Sequence, residues 1–312
     1  MSNPLILEGR ERPEDTVAWC KQDLAACRAR GDLHGEARTL DGLGVVYRNQ
    51  GRWVKAAYCY VHSLEIRRAL RDRPGKAQTL NNLGIVYRNQ GRLSEAASCY
   101  EHSLSIRRAL GDRPGEAQTL NNLGIAYEGN RRFEEAVACY ERGLEIKRAL
   151  GDHLGEALTL INLGNVFGRQ ARYGEAVSCF EQSLEISRAT GDRHREAQTL
   201  TNLGIICRSQ GRLETAAACY ERSLPVFREL GDRRGEGLTL ANLGLLLRAM
   251  GSAPRALVKW REALAILQAL GMPEAARVRT WLARERVRGP RPMVSRYESK
   301  VNSTRSTGRG RR

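Results

Sequence analysis

The sequence predicts an all-α protein of about fourteen antiparallel helices stacked in pairs. Three observations predict it. A forty-residue unit recurs in register, each unit carries two apolar patterns of helical period, and glycine with aspartate marks the junctions between units.

Six copies start at Gly31, Arg71, Gly111, Gly151, Gly191 and Gly231 and run to Leu270. The dipeptide Leu-Gly returns at Leu43-Gly44, Leu83-Gly84, Leu123-Gly124, Leu163-Gly164, Leu203-Gly204 and Leu243-Gly244, with no register adjustment. In the third copy Asp112 is placed to cap a first helix, because its carboxylate accepts from backbone N–H groups that have no partner in the first turn. Pro114 follows where a missing N–H costs little. Leu120, Leu123, Gly124 and Tyr127 then form one stripe at i, i+3, i+4, i+7. Gly124 lets a partner helix approach closely. The second helix begins near Phe133 and carries Ala136, Tyr140 and Leu144 at four-residue steps. Gly151 is a left-handed stop. Pro225, inside the second helix of the fifth copy, is expected to bend that helix or end it early.

These motifs resemble the tetratricopeptide repeat. The pattern Leu-Gly-x-x-Tyr followed by Ala-x-x-x-aromatic is met by Leu83, Gly84 and Tyr87 and by Ala96 and Tyr100. Leu80 stands where the family's first helix usually has Trp, and the longer unit is similar to repeats of kinesin light chains, Pins-type adaptors and many bacterial members. The resemblance covers residues 31–270. It implies a right-handed superhelical α-solenoid of six full repeats plus capping helices, with first helices lining a concave groove.

The expected organisation is a loosely ordered extension over 1–12 and a solenoid over 13–287. The solenoid comprises a half-repeat at 13–30, repeats at 31–70, 71–110, 111–150, 151–190, 191–230 and 231–270, and a capping helix at 273–287. The Gly/Pro/Ser/Thr/Arg composition of 288–312 reads as a basic disordered tail. That tail holds eight cations against one acid, Glu298, so it supplies +7 of the chain's +16. No stretch is long and apolar enough to span a membrane, and the N-terminus lacks a basic flank and cleavage site. A cytoplasmic location is expected.

No enzymatic motif is found: HExxH, GxSxG and a phosphate-cradling Gly-Lys-Ser/Thr loop are all absent. No catalytic residue, cofactor or metal is expected. Cys59, Cys99, Cys139, Cys179 and Cys219 share one repeat position. Equivalent places in packed helices lie about 10 Å apart, beyond the roughly 7 Å a disulfide spans, so these thiols are expected to be free and buried.

At 100° per residue the face opposite the core stripe carries Gln78, Asn82, Ile85 and Asn89. Asn82, Asn122, Asn162, Asn202 and Asn242 form one file, with Gly42 in the first copy. An amide offers both a donor and an acceptor, as gripping the backbone of an extended peptide requires. The same side chains are equally suited to bonding a neighbouring helix. Gln78, Gln118 and Gln198 add polar contacts. Arg48, Arg88, Arg208 and Arg248 recur at a flanking place, suited to an acidic or carboxylate-bearing ligand or to plain solvation. The expected function is a scaffold or adaptor binding an extended, acidic protein or peptide segment. Two alternatives are nucleic-acid or anionic-surface binding through the basic tail, and service as the sensory arm of a larger signalling assembly.

Overall fold

The computed structural model describes residues 13–288; the expected extension at 1–12 and nearly all of the basic tail lie outside the described residues. The described chain forms fourteen helices and no strand. They are α1 (Pro13–Arg30), α2 (Leu33–Asn49), α3 (Trp53–Ala69), α4 (Arg73–Asn89), α5 (Leu93–Leu110), α6 (Arg113–Gly129), α7 (Phe133–Leu150), α8 (His153–Arg169), α9 (Tyr173–Ala189), α10 (Arg193–Ser209), α11 (Leu213–Glu229), α12 (Arg233–Ala249), α13 (Ala253–Ala269) and α14 (Glu274–Arg288).

Local chemistry sets these boundaries. Asp32, Asp72, Asp112, Asp152, Asp192 and Asp232 each accept from the backbone N–H three residues on. The turns close through left-handed residues. Most are glycines such as Gly111 and Gly151, but Arg71, Arg131 and Ala171 adopt the same positive φ. At three turns between paired helices an arginine covers the preceding ring: Arg92 on Tyr87, Arg132 on Tyr127 and Arg172 on Phe167, at 4.2–4.3 Å. Pro225 does not shorten α11, which has the same 17 residues as its counterpart α9. It removes one helical hydrogen bond, the one that would have reached the carbonyl of Glu221.

The chain divides into two units, one ending at Val226 and the other beginning at Phe227. Within the first, successive helices from α1 to α10 pack on one another, and the first helices α2, α4, α6, α8 and α10 also touch side by side. Within the second, α13 packs between α12 and α14, and Ala275, Val278 and Leu282 form the buried side of α14.

One contact recurs through the pairs. Tyr60, Tyr100, Tyr140, Phe180 and Tyr220, all fully buried, sit on Gly44, Gly84, Gly124, Gly164 and Gly204, and Trp260 sits on Gly244. A methyl group added to any of these glycines would come within 2.4–2.7 Å of the ring. A second recurring contact ties the pair by hydrogen bonding: Ser63, Ser103 and Ser183 donate to the carbonyls of Ala37, Ala77 and Ala157 at 2.7–3.1 Å. The third pair has Gly143 at that place, where an added methyl would find ordinary contacts at 3.7 Å.

Two substitutions therefore have opposite signs. Gly124→Ala should destabilise by about 1–3 kcal/mol through overpacking against Tyr140. Gly143→Ser should stabilise by about 0.5 kcal/mol, from lower backbone entropy in the unfolded chain and a regained bond to Ala117. Equilibrium denaturation of both variants checks the pair.

Candidate functional site

The side-by-side first helices of the first unit make a wall, and a cleft of about 970 Å³ opens on its α4–α6–α8 stretch. Ile85, Gln118, Asn122 and Leu158 line it from the first helices, and Arg107 and Lys147 line it from the ends of α5 and α7. Gln118 and Gln198 are exposed, as is Gln78, which accepts from Arg107 Nη2 at 2.8 Å.

The asparagine file does not behave uniformly. All five side chains are half-buried. Asn122 donates to Asn81 Oδ1 at 3.1 Å, and Asn162 donates to Asn121 Oδ1 at 3.0 Å. In these two the amide N–H holds neighbouring first helices together, and the stacking role is occupied. The register explains why the others differ. The residue 41 places upstream of Asn202 is Ile161, which has no polar atom. For Asn82 it is Asp41, whose carboxylate is already engaged by Arg67 and Thr79. Asn82 takes only a long contact from Gln78 at 3.5 Å. Asn242 occupies the matching place on α12.

The arginine file is half-buried. Arg48 and Arg88 lie close enough to the buried Tyr60 and Tyr100 to act on them electrostatically. In the second unit Arg248 pairs with Glu285 of α14 at 2.7 Å. Glu128 takes the file's third place, with Arg169 at 3.0 Å, and burial pushes its carboxyl above the ordinary range.

Sequence reasoning missed a line of buried cations. Arg67, Arg107 and Lys147 share one second-helix place, 8%, 5% and 7% exposed. The available signal was a charge recurring at a place that later holds Ser187 and Phe227. The cysteines are all free. Burial pushes the thiols of Cys59, Cys99, Cys139, Cys179 and Cys219 up to about 11. No metal-binding cluster of His, Cys, Asp or Glu occurs among the described residues, and none of their helices is long and apolar enough to cross a membrane.

The tetratricopeptide repeat profile matches in five overlapping stretches, 35–109, 75–149, 115–189, 155–229 and 195–269. The chain belongs to the tetratricopeptide repeat family. Its fold is similar to that of BtubC (BKLC) from P. vanneervenii, with TM-score 0.64, 23% identity, and coverage of 71% of this chain and 93% of that one. It also resembles a signal transduction ATPase with numerous domains that carries a tetratricopeptide repeat sensor, from Pyrococcus horikoshii (TM-score 0.65, 16% identity, 82% of this chain and 42% of that one). The quorum sensor NprR of B. thuringiensis in its apo form is a third (TM-score 0.57, 13% identity, 87% and 83%). No curated protein gives a significant sequence match.

Asn162→Ala should cost about 0.5–1.5 kcal/mol, the worth of its bond to Asn121. Asn202→Ala should be neutral or slightly stabilising, because Ala is the better helix former; denaturation midpoints of the two variants distinguish these outcomes. Near pH 8 the five-cysteine file, largely thiol at its raised pKa, should react with DTNB at least about tenfold more slowly in the native than in the denatured chain.

Proposed function

We propose that the chain is an adaptor whose first-helix wall binds an extended, acidic segment of a partner protein. The repeat architecture supports a protein–protein interaction scaffold, and proteins of this family are typically non-enzymatic. The observation that carries the reading is the cleft on α4, α6 and α8, where amides stand beside aliphatic side chains and cations. That mixture suits a peptide: amides bond its backbone, Ile85 and Leu158 cover apolar side chains, and basic groups favour acids. Within the proposed site, Asn82 and Asn202 are the amides with most bonding capacity left for a ligand, whereas Asn122 and Asn162 present chiefly their carbonyl oxygens. Gln78, Gln118 and Gln198 extend the polar wall, and Arg48, Arg88 and Arg208 bias it toward acidic segments.

Affinity capture from the native host, followed by mass spectrometry, identifies the partner. Asn82→Ala/Asn202→Ala should keep the helical content and unfolding midpoint of the parent and recover at least about fivefold less of that partner, as expected for the loss of one or two hydrogen bonds. Undiminished recovery by the folded double variant would move the interaction off this wall.

A further inference from the structure

Successive second helices also border a groove. Between α5 and α7, over α6, it measures about 400 Å³ and is lined by Glu101, Leu104 and Arg108 of α5, Tyr127 of α6 and Cys139 of α7. Carboxylates answer its polar groups. Tyr127 Oη donates to Glu101 at 2.6 Å, and Arg108 pairs with Glu116 at 3.0 Å. Leu104, Tyr127 and Cys139 are buried.

One repeat earlier, between α3 and α5, both carboxylates are missing. Val61 takes the place that is Glu101, Glu141, Glu181 and Glu221 in later repeats, so residue 61 offers Tyr87, the counterpart of Tyr127, no acceptor. Lys76 takes the place of Glu36, Glu116, Glu156 and Glu196. Those glutamates pair with Arg28, Arg108, Arg148 and Arg188 at 2.7–3.0 Å, whereas Arg68 meets a like charge there. Leu64, Tyr87 and Cys99 are only half-buried, unlike their counterparts Leu104, Tyr127 and Cys139. A third carboxylate is lost at the start of α3, where Lys55 replaces the glutamate that pairs with Arg92, Arg132 and Arg172 in the next three repeats.

The apolar surface continues onto the ridge of α3. Val54, Tyr58 and Val61 stand at i, i+4 and i+7, and the first two are 78% and 64% exposed. The same places are Ser94, Ser98 and Glu101 on α5 and Glu134, Ala138 and Glu141 on α7. At the helical rise the stripe is about 10 Å long, with Lys55 near one end and Arg68 and Lys76 toward the other. The acid exposed beside it, Glu65, is engaged by His62 at 3.0 Å. Apolar surface joined to uncompensated cations marks an interaction site.

We propose that the α3 ridge, with the groove between α3 and α5, docks an acidic amphipathic helix of a partner protein. The backbone of α3 and α5 is spent within those helices, so the occupant has to satisfy its own backbone, as a helix does. Its apolar residues at i, i+3 or i+4, and i+7 match Val54, Tyr58 and Val61. Its flanking carboxylates meet Arg68 and Lys76 and restore the acceptor that Tyr87 lacks. A second copy of the chain would instead set these cations against one another. None of these residues lines the cleft on the first-helix wall, so the surface stands independently of that reading.

The test uses the full chain and a fluorescein-labelled helical peptide of about twenty residues, long enough to hold a helix. It carries leucine along one face and glutamate on both flanks, beside a counterpart with lysine for glutamate. The glutamate peptide should bind at least about tenfold tighter than the lysine peptide. Val61→Glu/Lys76→Glu, which installs the residues that neighbouring repeats carry, should keep the unfolding midpoint and weaken the glutamate peptide at least about tenfold. Tyr58→Ser, the residue type of α5 at that place, should weaken it by about threefold or more and decides the matter if the double variant fails to fold. Equal binding of the two peptides, no binding of either, or binding untouched by these variants overturns the proposal. So does binding lost in Asn82→Ala/Asn202→Ala, which would put the peptide on the first-helix wall. Self-association that Val61→Glu dissolves assigns the face to a second copy, binding that emerges only on deleting residues 1–12 assigns it to the chain's own first residues, and binding to phosphatidylserine vesicles in place of the peptide assigns it to a membrane; each overturns the proposal.

Discussion

A ring set on a glycine governs this architecture. Six first helices present Gly44, Gly84, Gly124, Gly164, Gly204 and Gly244 to an aromatic side chain of the following helix, and no methyl group fits between them. A ring has one thickness, so every pair is held at nearly the same separation. Because pairs of equal geometry stack at equal offset, equivalent residues in neighbouring repeats of the first unit meet one another. The amide bonds from Asn122 to Asn81 and from Asn162 to Asn121, each spanning 41 residues, are consequences of that constancy.

The constant frame carries changing chemistry. The first-helix place that is Asp41 becomes Asn81, Asn121, Ile161 and Thr201, and the second-helix place that is Arg67 becomes Arg107, Lys147 and Ser187. The two series change out of step, the carboxylate disappearing two repeats before the last cation. A buried ion pair contributes little net stability but is costly when one partner is removed. The layers of Arg107 and Lys147, which keep the cation without a counterpart of Asp41, border the cleft.

Much of the scaffold was legible from residues alone. Period, capping aspartates and turn glycines specify helix ends locally, and the six-fold repetition confirms the register each time. The site was less legible. Asn81 and Asn82 are neighbours in sequence with the same side chain, yet Asn81 is 1% exposed while Asn82 is half-buried and turned toward the wall. A helical wheel places them 100° apart, but which of them meets the next helix depends on how far each helix is rotated in the stack. Arg248 reads in sequence as a groove residue like Arg48, and its pairing with Glu285 is invisible there because Glu285 lies 37 residues further along the chain. Pro225 does not end its helix early: α11 keeps its 17 residues, since the helical hydrogen bond lost is the one to the Glu221 carbonyl.

By itself, then, the sequence determined the elements and their repetition: paired helices, capped and turned by local chemistry, with a small residue opposite a ring in each pair. Those features act within a few residues or between adjacent helices, so periodicity is enough to read them. Only the tertiary structure decided the bonding of each polar file, because that depends on atoms brought together from different repeats. It turned Asn122 and Asn162 toward stacking, left Asn82 and Asn202 with capacity to spare, and gave Arg67 a first-helix carboxylate, Asp41, that has no counterpart beside Arg107 and Lys147.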